Sequence, residues 1–229
     1  MPAPPPNLSR SVEDYLKAIF GLSERGEPAS TSAIAGALAV QPASVTGMVK
    51  RMAESGLLEH APYRGVRLTP RGQKEALKIL RRHRIIETYL CERLGFAWED
   101  VHEEAELLEH AASDQLVERM AAALAFPRHD PHGAPIPTSA GEIEETDSAT
   151  LADARPGSLL RVRAVRDEDA ARLRSMVAMG LTPGTRLRVE EPQGDADEVS
   201  VRLGETEGTV RTVRRDLAER VYVVPEDAG

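Results

Sequence analysis

The apolar positions of this chain change period along its length, from helical in the first half to alternating in the last third. Val12, Tyr15, Leu16, Ile19 and Phe20 share one helix face, so a helix begins near Ser9 or Ser11. Gly26 and Pro28 mark a turn, and Thr31 to Ala39 reads as a short helix. Pro42 suits the first turn of the next helix, whose inward face is Val45, Met48, Val49 and Met52. That helix runs to about Ser55, with Gly56 as its stop. LLEH and VRLT flank a Pro–Tyr–Arg–Gly turn and predict a short hairpin, with His60 on its surface. Further helices are expected from about Pro70 to Leu94, ended by Gly95, and over about 100–112 and 114–124. FPRHDPHGAPIPTSAG is too rich in Pro and Gly for regular structure, and EIEETDSATLADARPG reads as an acidic linker. From Ser158 onward, LLRVRAV, RLRVEEP, EVSVRLG, GTVRTV and RVYVV alternate as strands, with a helix over EDAARLRSMVAMG. Such short strands close naturally into a small β-barrel of about 70 residues.

Three helices followed by a short hairpin predict a winged helix-turn-helix. The recognition helix is then QPASVTGMVKRMAES, with Ala43, Ser44, Thr46, Gly47 and Lys50 outward. Small residues at its start allow close entry to a major groove, and Arg64 and Arg67 in the wing can neutralise phosphates. The alternative is a compact helical domain with no nucleic-acid role. The net charge of −8 argues against a polyanionic partner until its distribution is considered. Residues 1–80 carry 10 Lys+Arg against 7 Asp+Glu, residues 81–150 carry 6 against 15, and residues 151–229 carry 13 against 15. The head suits a polyanion and the middle suits a cation. No apolar run approaches the roughly 20 residues of a membrane span, and the N-terminus lacks a signal-peptide core, so a cytoplasmic location with no membrane partner is expected. The lone Cys91 excludes an internal disulfide and reads as a buried thiol.

The acidic middle holds the candidate chemistry. In VHEEAELLEH, a helix at 100° per residue gathers His102, Glu106, Glu109 and His110 on one narrow arc. His83 and Glu87 form a second pair at i, i+4 spacing. Carboxylates crowded on one face repel unless a cation or water offsets them. With no thiolate in the cluster, Mn(II) or Fe(II) fits better than structural zinc. Three other readings stand beside this one. The face is simply solvated; the near-miss HEEAE marks a metal-dependent hydrolase; or the chain is a winged-helix regulator answering an organic ligand or redox signal. His129 and His132 read as solvated loop residues, with weak metal contact as the alternative.

Taken together, SVEDYLKAIF, VQPASVTGMVKRM with GLLE, YRGVRLTPRG, RRHRIIETYL and VHEEAELLEH resemble the diphtheria toxin repressor family of metal-dependent transcription regulators. The resemblance covers residues 9 to about 224. It implies a mainly α, multidomain chain: a winged helix-turn-helix over 8–75, a helical dimerisation and metal domain over 76–140, a linker over 141–156 and a small SH3-like β-barrel over 157–225. It implies a homodimer that binds a double-stranded DNA operator, most often as a repressor of metal-homeostasis genes, and that is not an enzyme. The primary metal site would use Asp14, Glu106, Glu109 and His110. The ancillary site would use His83, Glu87 and His102, with Asp169 or its neighbour Glu168 from the barrel; Arg172 stands at a further ligand position, where it would not ligate. Asp14 and Glu106 stand where the iron-responsive branch has Met and Cys, which favours Mn(II), then Fe(II), with other divalent transition metals as substitutes. Lys17 stands where the manganese branch commonly has Glu. The DNA-contacting set would be Gln41, Pro42, Ala43, Ser44, Thr46, Lys50 and Arg51, with Arg64 and Arg67. The barrel could alternatively be a protein-binding module.

Overall fold

The computed structural model describes residues 8–23, 27–61, 65–144, 149–167, 169–191, 197–204 and 208–226. The chain forms two compact units, one comprising residues up to His83 with Pro137–Ile143, the other Arg84–Ile136 with residues from Glu144 onward.

In the first unit, α1 (Arg10–Leu22), α2 (Thr31–Ala37) and α3 (Pro42–Glu54) precede the hairpin β1 (Leu58–Ala61) and β2 (Gly65–Leu68), and α4 (Pro70–Leu94) begins here. Ser30 caps α2 by accepting from the Ala33 amide at 3.0 Å, and Pro42 opens α3 as expected. The chain bends by 108° between α2 and α3, within the range of a helix-turn-helix. Leu16, Ile19, Ile34, Val45, Val49, Met52 and Val66 form the core, which is the inward face read from the sequence; Met48 packs at its edge. Gly72 is required by packing rather than by φ, because a Cβ there would lie 2.0 Å from the Leu57 carbonyl oxygen. Arg64 and the side chain of His60 lie outside the described residues.

In the second unit, α5 (Val101–Leu108) and α6 (Asp114–Ala123) pack on the later turns of α4 through Ile85, Ile86, Leu90, Ala105, Val117 and Ala121. The helix expected over 100–112 ends at Leu108, because the Ser113 hydroxyl, accepting from the Leu116 amide at 3.2 Å, starts a new helix. Glu109 and His110 therefore sit in a turn. The rest of the unit is an antiparallel sheet in the order β3-β8-β4-β5-β6-β7. Its strands are β3 (Ala149–Thr150), β4 (Leu159–Val165), β5 (Arg186–Val189), β6 (Glu198–Leu203), β7 (Val210–Arg214) and β8 (Val221–Pro225), with helices α7 (Ala170–Met179) and α8 (Arg215–Ala218). Leu160, Val162, Leu187, Val201, Val213 and Val223 meet Leu173 and Met176 of α7 in one core. The segment 141–156, expected to be a linker, is partly built in: β3 pairs with β8 and Leu151 is fully buried in that core. Leu151, with Ala152 and Ala154 packed against the same core, anchors it.

An ion cluster centred on one enclosed carboxylate holds the start of α7. The Asp167 side chain has no exposed surface and accepts from Arg172 Nε at 2.6 Å and Nη2 at 2.9 Å, with Arg220 Nε at 3.3 Å. Burial pushes this carboxyl up, but the Arg172 bonds, the Asp169 amide and the Arg220 charge outweigh it and hold it below its usual range. Asp167→Asn is expected to cost roughly 2 kcal/mol at neutral pH, from lost hydrogen bonds to charged groups. A carboxyl lowered by folding stabilises above its unfolded value and loses that contribution as pH falls through the folded one. Thermal unfolding from pH 7 to pH 2 should therefore show the gap between wild type and variant closing only in the acid range.

Candidate metal centre and nucleic-acid interface

The outward residues of α3 are all exposed: Gln41, Pro42, Ala43, Ser44, Thr46, Lys50 and Arg51, together with Arg67 on β2. Their freedom follows from Val45, Val49 and Met52 being buried beneath them. A helix face with small residues first and two cations a turn later fits a major groove flanked by phosphates.

Asp14 lies half-buried on α1 of the first unit. In the second unit, Glu109 is fully buried and its Oε1 lies 3.5 Å from His110 Nε2. A fully buried carboxylate is costly unless a cation or hydrogen bonds offset it. On α5, His102 bridges two carboxylates, with Nδ1 at 3.3 Å from Glu87 Oε1 and Nε2 at 3.6 Å from Glu106 Oε1. His83 and Glu87 share a face of α4 and are both buried.

A further cluster was not anticipated. Glu87, Asp130 and His132 each offer a ligand atom, and these atoms lie within 4.8 Å of one another. His132 was expected to be a solvated loop histidine. It is 6% exposed, because the Pro/Gly-rich loop folds inward. Asp130 Oδ1 makes the turn, accepting from the amides of His132 at 2.9 Å and Ala134 at 3.0 Å. Its Oδ2 faces Arg84 Nε at 3.3 Å. Burial raises the Asp130 carboxyl above its usual range and Glu87 adds to this; Arg84, His132 and the Ala134 amide pull the other way. Imidazole and carboxylate donors without a thiolate suit a hard or borderline divalent ion.

Asp169 belongs to none of these clusters among the described residues. Its Oδ1 caps α7, accepting from the amides of Ala171 at 2.8 Å and Arg172 at 3.1 Å. The resemblance implied a barrel ligand here; the structure uses Asp169 Oδ1 at the helix start, and Arg172 is engaged with Asp167. Cys91, half-buried, has its thiol pushed up to about 11 by burial, then by Glu87, Glu92, Glu99 and Asp130. A reactive thiolate needs the opposite environment, which removes support from a redox switch at this residue.

Family models match three segments in order: an iron-dependent repressor N-terminal DNA-binding domain over residues 7–66, an iron-dependent repressor metal-binding and dimerisation domain over 69–138, and a FeoA domain over 149–225. The chain is 31% identical over 199 residues to the diphtheria toxin repressor of Corynebacterium glutamicum, covering 82% of this chain and 87% of that one. It is 40% identical over 114 residues to an HTH-type transcriptional regulator of Methanocaldococcus jannaschii, covering 49% of this chain and 91% of that one. A solved manganese-dependent transcriptional repressor in complex with manganese matches with a TM-score of 0.86 and 35% identity over 94% of this chain and 100% of that one. The winged helix, the helical metal and dimerisation domain and the SH3-like β-domain thus occur in the family's order, and no helix among the described residues is long and apolar enough alone to cross a membrane. The chain belongs to the diphtheria toxin repressor family and is a metal-responsive, DNA-binding transcription regulator that acts as a homodimer.

Proposed function

We propose that the chain is a repressor of metal-homeostasis genes whose physiological effector is Mn(II), with Fe(II) as the next-best ion. The observation that carries this is the donor set: Glu109 fully buried beside His110 in the turn that follows α5, with Glu106 in the last turn of that helix and no sulfur ligand. Hard oxygen donors with one imidazole favour manganese over softer ions. Asp14, Glu106, Glu109 and His110 would hold the activating ion. Because Asp14 stands on the first helix of the DNA-binding domain, an ion taking ligands from both segments would restrict the reading heads to spacings that match two half-sites. The bound ion supplies charge neutralisation. The chain's own residues supply the geometry: α3 presents Ala43, Ser44 and Thr46 to base edges, while Lys50, Arg51 and Arg67 meet phosphates.

A second ion would be held by Glu87, Asp130 and His132, with His83, one turn before Glu87 on α4, and His102, whose Nδ1 lies 3.3 Å from Glu87 Oε1, as further donors. In this reading Asp130 and His132 take the part the resemblance gave to Asp169.

The test of the effector is operator binding at buffered free Mn(II) and Fe(II). Asp14→Met combined with Glu106→Cys is expected to move the preference toward Fe(II), since thiolate and thioether are softer ligands. An unchanged ranking of the two ions overturns the hardness argument. Equal operator affinity with and without either metal overturns metal control altogether. The hydrolase reading predicts turnover by the metal-loaded protein, and the organic-ligand reading predicts a response that survives changes to Glu109 and His110.

A further inference from the structure

Trp98 is the only tryptophan in the chain, and it touches three things at once. Its carbonyl oxygen lies 2.9 Å from His132 Nε2. Its ring meets the His132 imidazole edge-on, with centroids 4.8 Å apart and planes at 89°. The same indole packs against the core of the β-domain. Two residues on, Asp100 accepts from Arg174 of α7 at 3.0 Å. The loop that carries His132 is pressed onto the β-domain as well. The His132 carbonyl accepts from the Val165 amide of β4 at 2.8 Å. A Cβ on Gly133 would lie 2.1 Å from the Arg163 carbonyl oxygen, so only glycine, at φ +84°, lets the loop approach so closely.

We propose that Trp98 is a positioning residue for the Glu87–Asp130–His132 metal site, and that through it filling this site and docking the β-domain on the helices become mutually dependent. The inference rests on the reading of that cluster as a metal site. A carbonyl oxygen only accepts, so the Trp98 contact places the proton of neutral His132 on Nε2 and leaves the lone pair on Nδ1 for the ion. The indole holds the ring plane from one side and the β-domain from the other. An ion that fixes His132 therefore also fixes the backbone that pairs with Val165. By reciprocity, a docked β-domain raises the affinity of the site for its ion. The β-domain contributes no ligand in this arrangement; it acts through the orientation of His132.

Two readouts on the wild-type homodimer test this without any variant. Titrated with Mn(II) alone, the protein should show quenching of Trp98 emission and slower amide exchange at Val165 as this site fills. Both responses should persist in Glu109→Gln and vanish in His132→Ala. Trp98→Leu should weaken Mn(II) binding at this site about 10–100-fold, the usual penalty for losing an outer-shell partner, and abolish the Val165 response. Trp98→Phe, which keeps an edge-on ring, should restore most of both. If His132→Ala and Asp130→Asn leave Mn(II) stoichiometry and affinity unchanged, the site itself is misread and the proposal falls with it. If those two variants lose the ion while Trp98→Leu keeps wild-type affinity and wild-type Val165 exchange, the site stands and the role of Trp98 is overturned.

Discussion

Replacing Glu109 by Gln is expected to abolish the Mn(II) dependence of operator binding and most of the thermal stabilisation that the activating ion provides. Gln keeps the shape of the side chain but exchanges a fully buried anionic donor for a neutral amide oxygen, a weaker ligand for a hard cation. Ligand binding to the folded state stabilises by RT ln(1 + [L]/Kd), which is about 2.7 kcal/mol at a hundredfold excess over Kd. A hundredfold loss of affinity at the same Mn(II) concentration leaves roughly 0.4 kcal/mol. For a chain of this size the difference corresponds to a melting shift about 5–9 °C smaller. Measuring it in an Asp130→Asn background silences the second cluster. Operator affinity should fall by the coupling between ion and DNA, on the order of 5–150-fold, while affinity in the absence of metal stays put. A wild-type Mn(II) response in this variant would remove Glu109 from the effector site.

Periodicity carried most of the fold because burial imposes it. Val45, Val49 and Met52 recur at helical spacing since one face of α3 meets the core, and Leu160 and Val162 alternate since one face of β4 does. The elements that periodicity could not reveal are those too short to have a period. Four-residue α8 and two-residue β3 are held by context, the latter through Leu151. Charge and spacing marked Glu106, Glu109 and His110, yet the same rule could not find Asp130 and His132, because their loop has no regular period. A signal was present: in HDPHG an Asp two residues before a His can bond that residue's amide and turn the chain inward, drawing the imidazole after it. Capping chemistry was equally legible at Asp169. An Asp directly ahead of AARLRSM is a helix N-cap, which competes with its use as a ligand. Family resemblance placed that residue at a metal; local hydrogen bonding gives it a capping role.

Leu107→Glu combined with Leu116→Glu is expected to give a folded monomer that binds its operator orders of magnitude more weakly than wild type. Among the described residues, six of the eleven exposed large hydrophobics, Leu94, Phe96, Leu107, Leu108, Leu116 and Phe126, lie between positions 94 and 126, while Leu22, Val40, Leu159, Val177 and Val210 are scattered over the rest of the chain. Apolar surface gathered in one region of an otherwise charged chain marks a protein interface. This region falls within the segment that matches the metal-binding and dimerisation domain. A two-fold contact presents each patch to its own copy, so one substitution places a charge in the interface twice. The substituted side chains are 65% and 45% exposed, so the monomer's own core is untouched. Sedimentation or light scattering reads the association state, and circular dichroism confirms the fold. Leu107 and Leu108 lie between Glu106 and Glu109 at the end of α5 and its following turn, so the same short segment would serve the partner on one side and the ion on the other. Because any ligand selective for one association state shifts the equilibrium toward it, Mn(II) should tighten the wild-type dimer. A double variant that stays dimeric places the interface elsewhere on the chain. A monomer that keeps full operator affinity shows that DNA is read by one winged helix alone.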